Sequence, residues 1–128
     1  MAPGEVRILV IDDEPPLLRM MTLYLERQGY SVTVAPTAAK ARVALAEGGF
    51  AVVVLDASLP GTTLAEMGGE ILCGDPAVHL LAASGYPADT SALETLAPGR
   101  VAFLLKPFSP DMLAACVRRL LGVEEEGV

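Results

Sequence analysis

Aliphatic residues gather in five short runs along the chain, and the segments between the runs carry their apolar residues at helical spacing. Val6–Ile11 (VRILVI), Phe50–Asp56 (FAVVVLD), Val78–Ala83 (VHLLAA) and Val101–Leu105 (VAFLL) are almost continuously apolar, the pattern of strands buried on both faces. Ser31–Ala35 (SVTVA) alternates and reads as a further strand. After the first run, Pro15 suits the opening turn of a helix with Leu17, Leu18, Met21 and Leu25 on its inner side and Gly29 as its stop. Thr37 is the expected N-cap of an Ala-rich helix through Ala46, closed by Gly48-Gly49. A third helix is expected over Leu64–Cys73, although Gly68-Gly69 falls inside it and each glycine costs about 1 kcal/mol there relative to alanine. A short helix is expected near Asp89–Leu96. The last begins at a Ser109 cap with Pro110 in its first turn, and Met112, Leu113, Cys116, Val117, Leu120 and Leu121 line its buried side.

Strand and helix thus alternate five times, which specifies an α/β fold with a five-stranded parallel sheet between two helical layers. The 128 residues suffice for one such domain. We expect it over residues 1–122, followed by a disordered acidic tail over 123–128. No apolar run approaches the roughly 18 residues that cross a membrane, and the N-terminus lacks a secretory pattern, so a cytoplasmic location is expected. Cys73 and Cys116 lie in no metal-like spacing and are expected as free, buried thiols. The net charge of −7 argues against direct binding to nucleic acid or to an anionic membrane.

Right-handed crossovers place the carboxyl end of every strand on one rim. Asp12-Asp13, Asp56, Ser84 and Lys106 each follow or end a strand and therefore share it. Taken singly, each has a plain alternative: Asp56 as a turn residue, Ser84 as a small strand-end residue, Lys106 as a solvated lysine. Together they form a constellation where open α/β sheets place their ligand sites. Three carboxylates on one rim repel, which raises their proton affinity unless a cation binds, and a hard divalent ion such as Mg²⁺ suits the donor set.

The segments ILVIDDEP, VVLDASLPG, LLAASGYP and FLLKPF, in this order at these strand ends, resemble the receiver domain of two-component response regulators. The resemblance covers Val6–Leu121 and implies the flavodoxin-like, CheY-like fold with strand order 2-1-3-4-5. It further implies that Asp13 and Asp56 ligate Mg²⁺ directly, that the backbone carbonyl of Ser58 completes the protein ligands, and that Asp12 acts through water. Asp56 would be the phosphoacceptor and Lys106 the cation that neutralises the phosphoryl oxygens. Pro107 allows a cis bond after Lys106. Ser84 occupies the switch hydroxyl position, and Phe103 the switch aromatic position, where a plain core phenylalanine is the alternative. His79 reads as a packed or partly exposed histidine rather than a phosphorelay residue.

The function expected from this resemblance is acceptance of a phosphoryl group from a sensor histidine kinase or its phosphotransfer domain, changing contacts with a downstream protein. With no output segment after Leu121, the chain is expected to be a single-domain regulator or the receiver of a hybrid histidine kinase, as a monomer or weak homodimer. The domain is expected to support only its own phosphorylation and dephosphorylation. A pseudo-receiver that binds partners without phosphorylation is the first alternative, but its signature, loss of Asp13, Asp56 or Lys106, is absent. A Mg²⁺-dependent phosphatase would want a second acid where Ser58 stands. A dinucleotide site would want a glycine-rich turn where DDEPP stands. Two departures from the family are visible: Thr62-Thr63-Leu64 follows Pro60-Gly61 where many members have another glycine, and the fourth helix lacks a basic face.

Overall fold

β-branched and leucine-rich runs pair side by side because each strand, unable to turn back on itself, returns through a helix to a parallel neighbour. The computed structural model describes residues 6–122. The expected tail at 123–128 lies outside the described residues. The strands are β1 (Arg7–Ile11), β2 (Ser31–Ala35), β3 (Val52–Asp56), β4 (His79–Ser84) and β5 (Val101–Leu105). The helices are α1 (Pro15–Arg27), α2 (Ala38–Glu47), α3 (Leu64–Gly74), α4 (Ser91–Leu96) and α5 (Pro110–Leu121). All pairings are parallel and the sheet order is β2-β1-β3-β4-β5.

Alternation along each strand divides the core in two. Leu9, Ile11, Val53, Leu55 and Leu80 pack with Ala41, Met67, Ile71 and Leu93 from α2, α3 and α4. Ile8, Val10, Val52, Val54 and Leu81 pack on the other face with Met21 and Leu25 of α1 and Leu113 and Val117 of α5. The central strands β1, β3 and β4 are covered on both faces and read as unbroken apolar runs, whereas the edge strand β2 is more exposed and alternates.

Local chemistry sets the helix ends. Thr37, Thr63 and Ser109 each accept a bond from the backbone N–H three residues on, at Lys40, Glu66 and Met112. Gly122 closes α5 in the left-handed region, φ 77°. α3 ends at Asp75 without such a glycine. There the Arg100 guanidinium donates to the carbonyls of Leu72, Asp75 and Val78 at 3.1, 2.6 and 2.8 Å, fastening the helix end to the sheet.

Several expectations need correction. α4 starts at Ser91 rather than near Asp89, because the Asp89 carboxylate accepts from the Ser91 amide and hydroxyl and makes a turn instead. Val6, Phe50 and Val78 are buried but precede their strands. Met112 is exposed: Leu113, Ala114 and Val117 form the inner stripe of α5, and Met112 lies round the helix from it. Cys73 is exposed as well, since the inner face of α3 is carried by Met67, Gly68, Ile71 and Leu72. Cys116 is half-buried, and both thiols are free.

The structure gives the two glycines of α3 different meanings. A Cβ on Gly68 would lie 2.9 Å from Leu93 Cδ1 and 3.2 Å from Leu80 Cδ2, whereas one on Gly69 would meet nothing within 4 Å. We therefore expect Gly69→Ala to stabilise the domain by about 1 kcal/mol through helix propensity alone. Gly68→Ala should lose that gain to overpacking that typically costs 1–3 kcal/mol. Urea denaturation of both variants checks this, and equal gains would refute the packing account.

Candidate functional site

Register decides which chemistry meets on the rim. Ile11 of β1 pairs with Leu55 of β3, so Asp12, one residue on, stands beside Asp56 at the end of β3. Asp13 follows and is exposed, while Asp12 and Asp56 are 1 % and 4 % exposed. One oxygen from each of the three carboxylates falls within 4.8 Å of the others, a spacing that could hold a metal ion. Hard oxygen donors with one solvent-facing side suit a small divalent cation that keeps part of its hydration.

The fourth charged group comes from β5. Lys106 is half-buried; its Nζ donates to Asp12 Oδ2 at 3.1 Å and lies 3.4 Å from Asp56 Oδ1. Its backbone N–H donates to the Ser84 carbonyl at 2.7 Å, and the Lys106–Pro107 peptide is cis. Asp56 Oδ1 also accepts from the Ser58 amide at 3.0 Å, and Asp12 Oδ1 from the Glu14 amide at 2.9 Å. Each buried carboxylate is thus gripped by the turn that follows it.

Burial is the leading influence on Asp12, and it pushes the carboxyl pKa up. The neighbouring Asp56 charge adds to the rise, while the Glu14 amide and Lys106 pull it back. Mutual repulsion, the cause expected from sequence, is therefore secondary to desolvation. Burial alone would lower the Lys106 pKa, but the hydrogen bond to Asp12 and the charges of Asp12, Asp56 and Glu14 outweigh it and hold the ammonium above its usual range.

The remaining expected residues are Ser84, Phe103 and Ser58. Ser84 ends β4, is 4 % exposed, and its Oγ accepts from the Tyr86 amide at 3.1 Å. Phe103 is half-buried in β5, paired with Ala82 of β4. Ser58 reaches Asp56 through its amide, a contact that sequence reading, which assigned only its carbonyl, did not provide. Tyr86, whose amide makes the bond to Ser84 Oγ, has an exposed side chain, 75 % open to solvent.

Comparison with known proteins agrees with this fold. The response regulator receiver domain model matches residues 8–118. The uncharacterized transcriptional regulatory protein YkoG of Bacillus subtilis is 33% identical over 117 residues, covering 89% of this chain and 50% of that protein. The chain spans half or less of the length of the first curated relatives it matches. Among solved structures, the response regulator TrrA of Thermotoga maritima, in complex with Mg²⁺-BeF, superposes with TM-score 0.77 at 27% identity, covering 90% of this chain and 98% of that one. A CheY-like receiver domain protein of Methanospirillum hungatei superposes with TM-score 0.77 at 28% identity, over 95% and 98% of the two chains.

The raised Asp12 pKa carries a sign. The folded state holds the proton more tightly than the unfolded state, so stability falls as pH rises from the unfolded value of 3.8 through the folded one. At neutral pH without divalent cation the ionised Asp12 is a net cost. Asp12→Asn should raise the thermal midpoint there, because an amide oxygen can still accept from Glu14. Saturating Mg²⁺, which at 100 times Kd stabilises by about 2.7 kcal/mol, should raise the wild type more than the variant. Calorimetry with and without Mg²⁺ checks both; a lowered midpoint in the metal-free variant would refute the sign.

Proposed function

The chain belongs to the response regulator receiver domain family of two-component systems, and on that premise we propose that it is a phosphoacceptor switch with Asp56 as the acceptor. The observation that carries this reading is the Asp12, Asp13, Asp56 and Lys106 cluster at the ends of β1, β3 and β5. Asp13 and Asp56 would hold Mg²⁺, with the Ser58 carbonyl completing the protein ligands and Asp12 acting through water. When bound, the ion would draw charge from the phosphoryl oxygens.

An oxygen of the Asp56 carboxylate attacks the phosphorus of a phosphohistidine on the partner kinase or phosphotransfer domain. The O–P bond forms, the P–N bond breaks, and the imidazole leaves with a proton from solvent. Lys106 turns from Asp12 and Asp56 toward the equatorial oxygens, offering its ammonium where charge develops. Attack of water on the aspartyl phosphate later returns the carboxylate and releases inorganic phosphate. These steps act on the domain itself and consume no separate substrate beyond the phosphodonor.

Ser84 would donate its hydroxyl to a phosphoryl oxygen, and Phe103 would follow it inward. The equilibrium between two arrangements of the β4-α4-β5-α5 face is then biased by the phosphoryl group, which must favour one by a few kcal/mol. A downstream protein reads that face. Among the described residues no helix is long and apolar enough to cross a membrane.

Incubation with Mg²⁺ and acetyl phosphate should add one phosphoryl group to the wild type in intact mass. Asp56→Asn and EDTA should each abolish the adduct. Absence of the adduct together with failure to bind beryllofluoride would replace this reading with that of a phosphorylation-independent module.

Lys106→Ala should leave Mg²⁺ binding in place and slow adduct formation about 100-fold or more, the cost typical of losing one charge-stabilising donor. A stopped-flow or quenched time course measures it, and an unchanged rate would remove Lys106 from the mechanism.

A further inference from the structure

Gly68-Gly69 is the sequence feature that the phosphorylation site does not explain. Gly69 could carry a side chain freely, whereas a Cβ on Gly68 would force neighbouring leucine side chains to shift. The obstructing atoms are Leu93 Cδ1 at 2.9 Å, Leu80 Cδ2 at 3.2 Å and Leu93 Cδ2 at 3.4 Å. Leu80 is fully buried in β4, so a shift there must be taken up by the packed core. Leu93 is the buried residue of α4. The bare backbone at Gly68 is therefore a notch into which α4 lowers its anchor.

α4 depends on that anchor. It is six residues long, far too short to persist as a helix without packing. Its N-cap residue, Thr90, makes no capping bond to the helix backbone; the hydroxyl donates to Glu94 instead, at 2.6 Å. Leu93 and Ala97 are the α4-end residues that join the core beneath it.

The same helix is tied to the rim by a short segment. Ser84 ends β4, α4 begins at Ser91, and the Ser84 hydroxyl holds the Tyr86 amide between them. A Ser84 hydroxyl that rotates toward a phosphoryl group on Asp56 gives up the Tyr86 amide and frees the segment that leads into α4.

We propose that Gly68 is a positioning residue: its missing side chain seats α4 through Leu93, and the firmness of that seat sets how readily the rim adopts its phosphoryl-bound arrangement. This rests on the function proposed above. The coupling is reciprocal. If a phosphoryl group on the rim loosens α4, then loosening α4 must tighten the rim's hold on a phosphoryl group.

The test uses the full chain and two readouts, amide hydrogen exchange over residues 91–97 and affinity for beryllofluoride in the presence of Mg²⁺. Gly68→Ala should speed exchange over 91–97 by about tenfold, as overpacking of that size implies, with β4 unchanged. It should raise beryllofluoride affinity by about fivefold, the lower end of typical coupling. Gly69→Ala should change neither. Adding Leu93→Val to Gly68→Ala removes the Cδ atoms that collide and should return both readouts toward wild type, a non-additive pair.

Leu93→Val alone loosens the seat without adding atoms, and it should move both readouts in the same direction as Gly68→Ala. It keeps the test in force if Gly68→Ala does not fold. Wild-type exchange over 91–97 in the loosened variants would overturn the seat. Faster exchange with unchanged beryllofluoride affinity would overturn the coupling. A wild type that fails to bind beryllofluoride would instead overturn the proposed function, while the exchange arm still decides the seat.

Discussion

Two buried carboxylates share one ammonium at the ends of three strands, and the rest of the structure is arranged to keep them there. Asp12 and Asp56 are removed from water, a position that costs several kcal/mol per charge unless partners compensate. Lys106 bridges them, and the Glu14 and Ser58 amides occupy one oxygen of each. The compensation is incomplete: two buried carboxylates face one ammonium, with the exposed Asp13 close by. A site left with surplus negative charge suits a cation.

That charge arrangement depends on the parallel sheet. β1 and β3 must lie side by side and run in the same direction for Asp12 and Asp56 to meet, and β5 must end on the same edge for Lys106 to reach both. The apolar strands meet this requirement by burying both faces, which leaves the strand ends as the place where charge can stand. The price in stability that Asp12 imposes on the metal-free domain is carried by these two aliphatic layers.

The two layers are not equivalent. α1 and α5 offer long inner stripes to the sheet through Met21, Leu25, Leu113 and Val117, and the Tyr24 hydroxyl donates to Asp111 across them at 2.5 Å. On the opposite face, α3 needs the Arg100 guanidinium to finish its C-terminus, and α4 depends on a leucine set into a glycine notch. Local stability follows the density of such contacts, so the α3-α4 side is where the fold can rearrange at least cost. It is also the side reached directly from Ser84.

How much of this could be read from the chain follows from the range of each interaction. Strand identity, helix order, the Thr37 and Ser109 caps and the gathering of Asp12, Asp13, Asp56 and Lys106 on one rim depend on periodicity, on residues three apart, and on the handedness of the crossovers, all of which are written along the sequence. The family resemblance added the strand order. Other features depend on contacts between distant segments, which no local pattern encodes. Burial rather than repulsion dominates Asp12, because its environment is built by β3 and β5. Cys73 and Met112 face solvent, because a helix's inner stripe is chosen by the sheet beneath it. Gly68 and Gly69 are adjacent and the same residue type, yet only at Gly68 is the space of a Cβ crowded. Leu93 and Leu80, brought in from α4 and β4, make the difference.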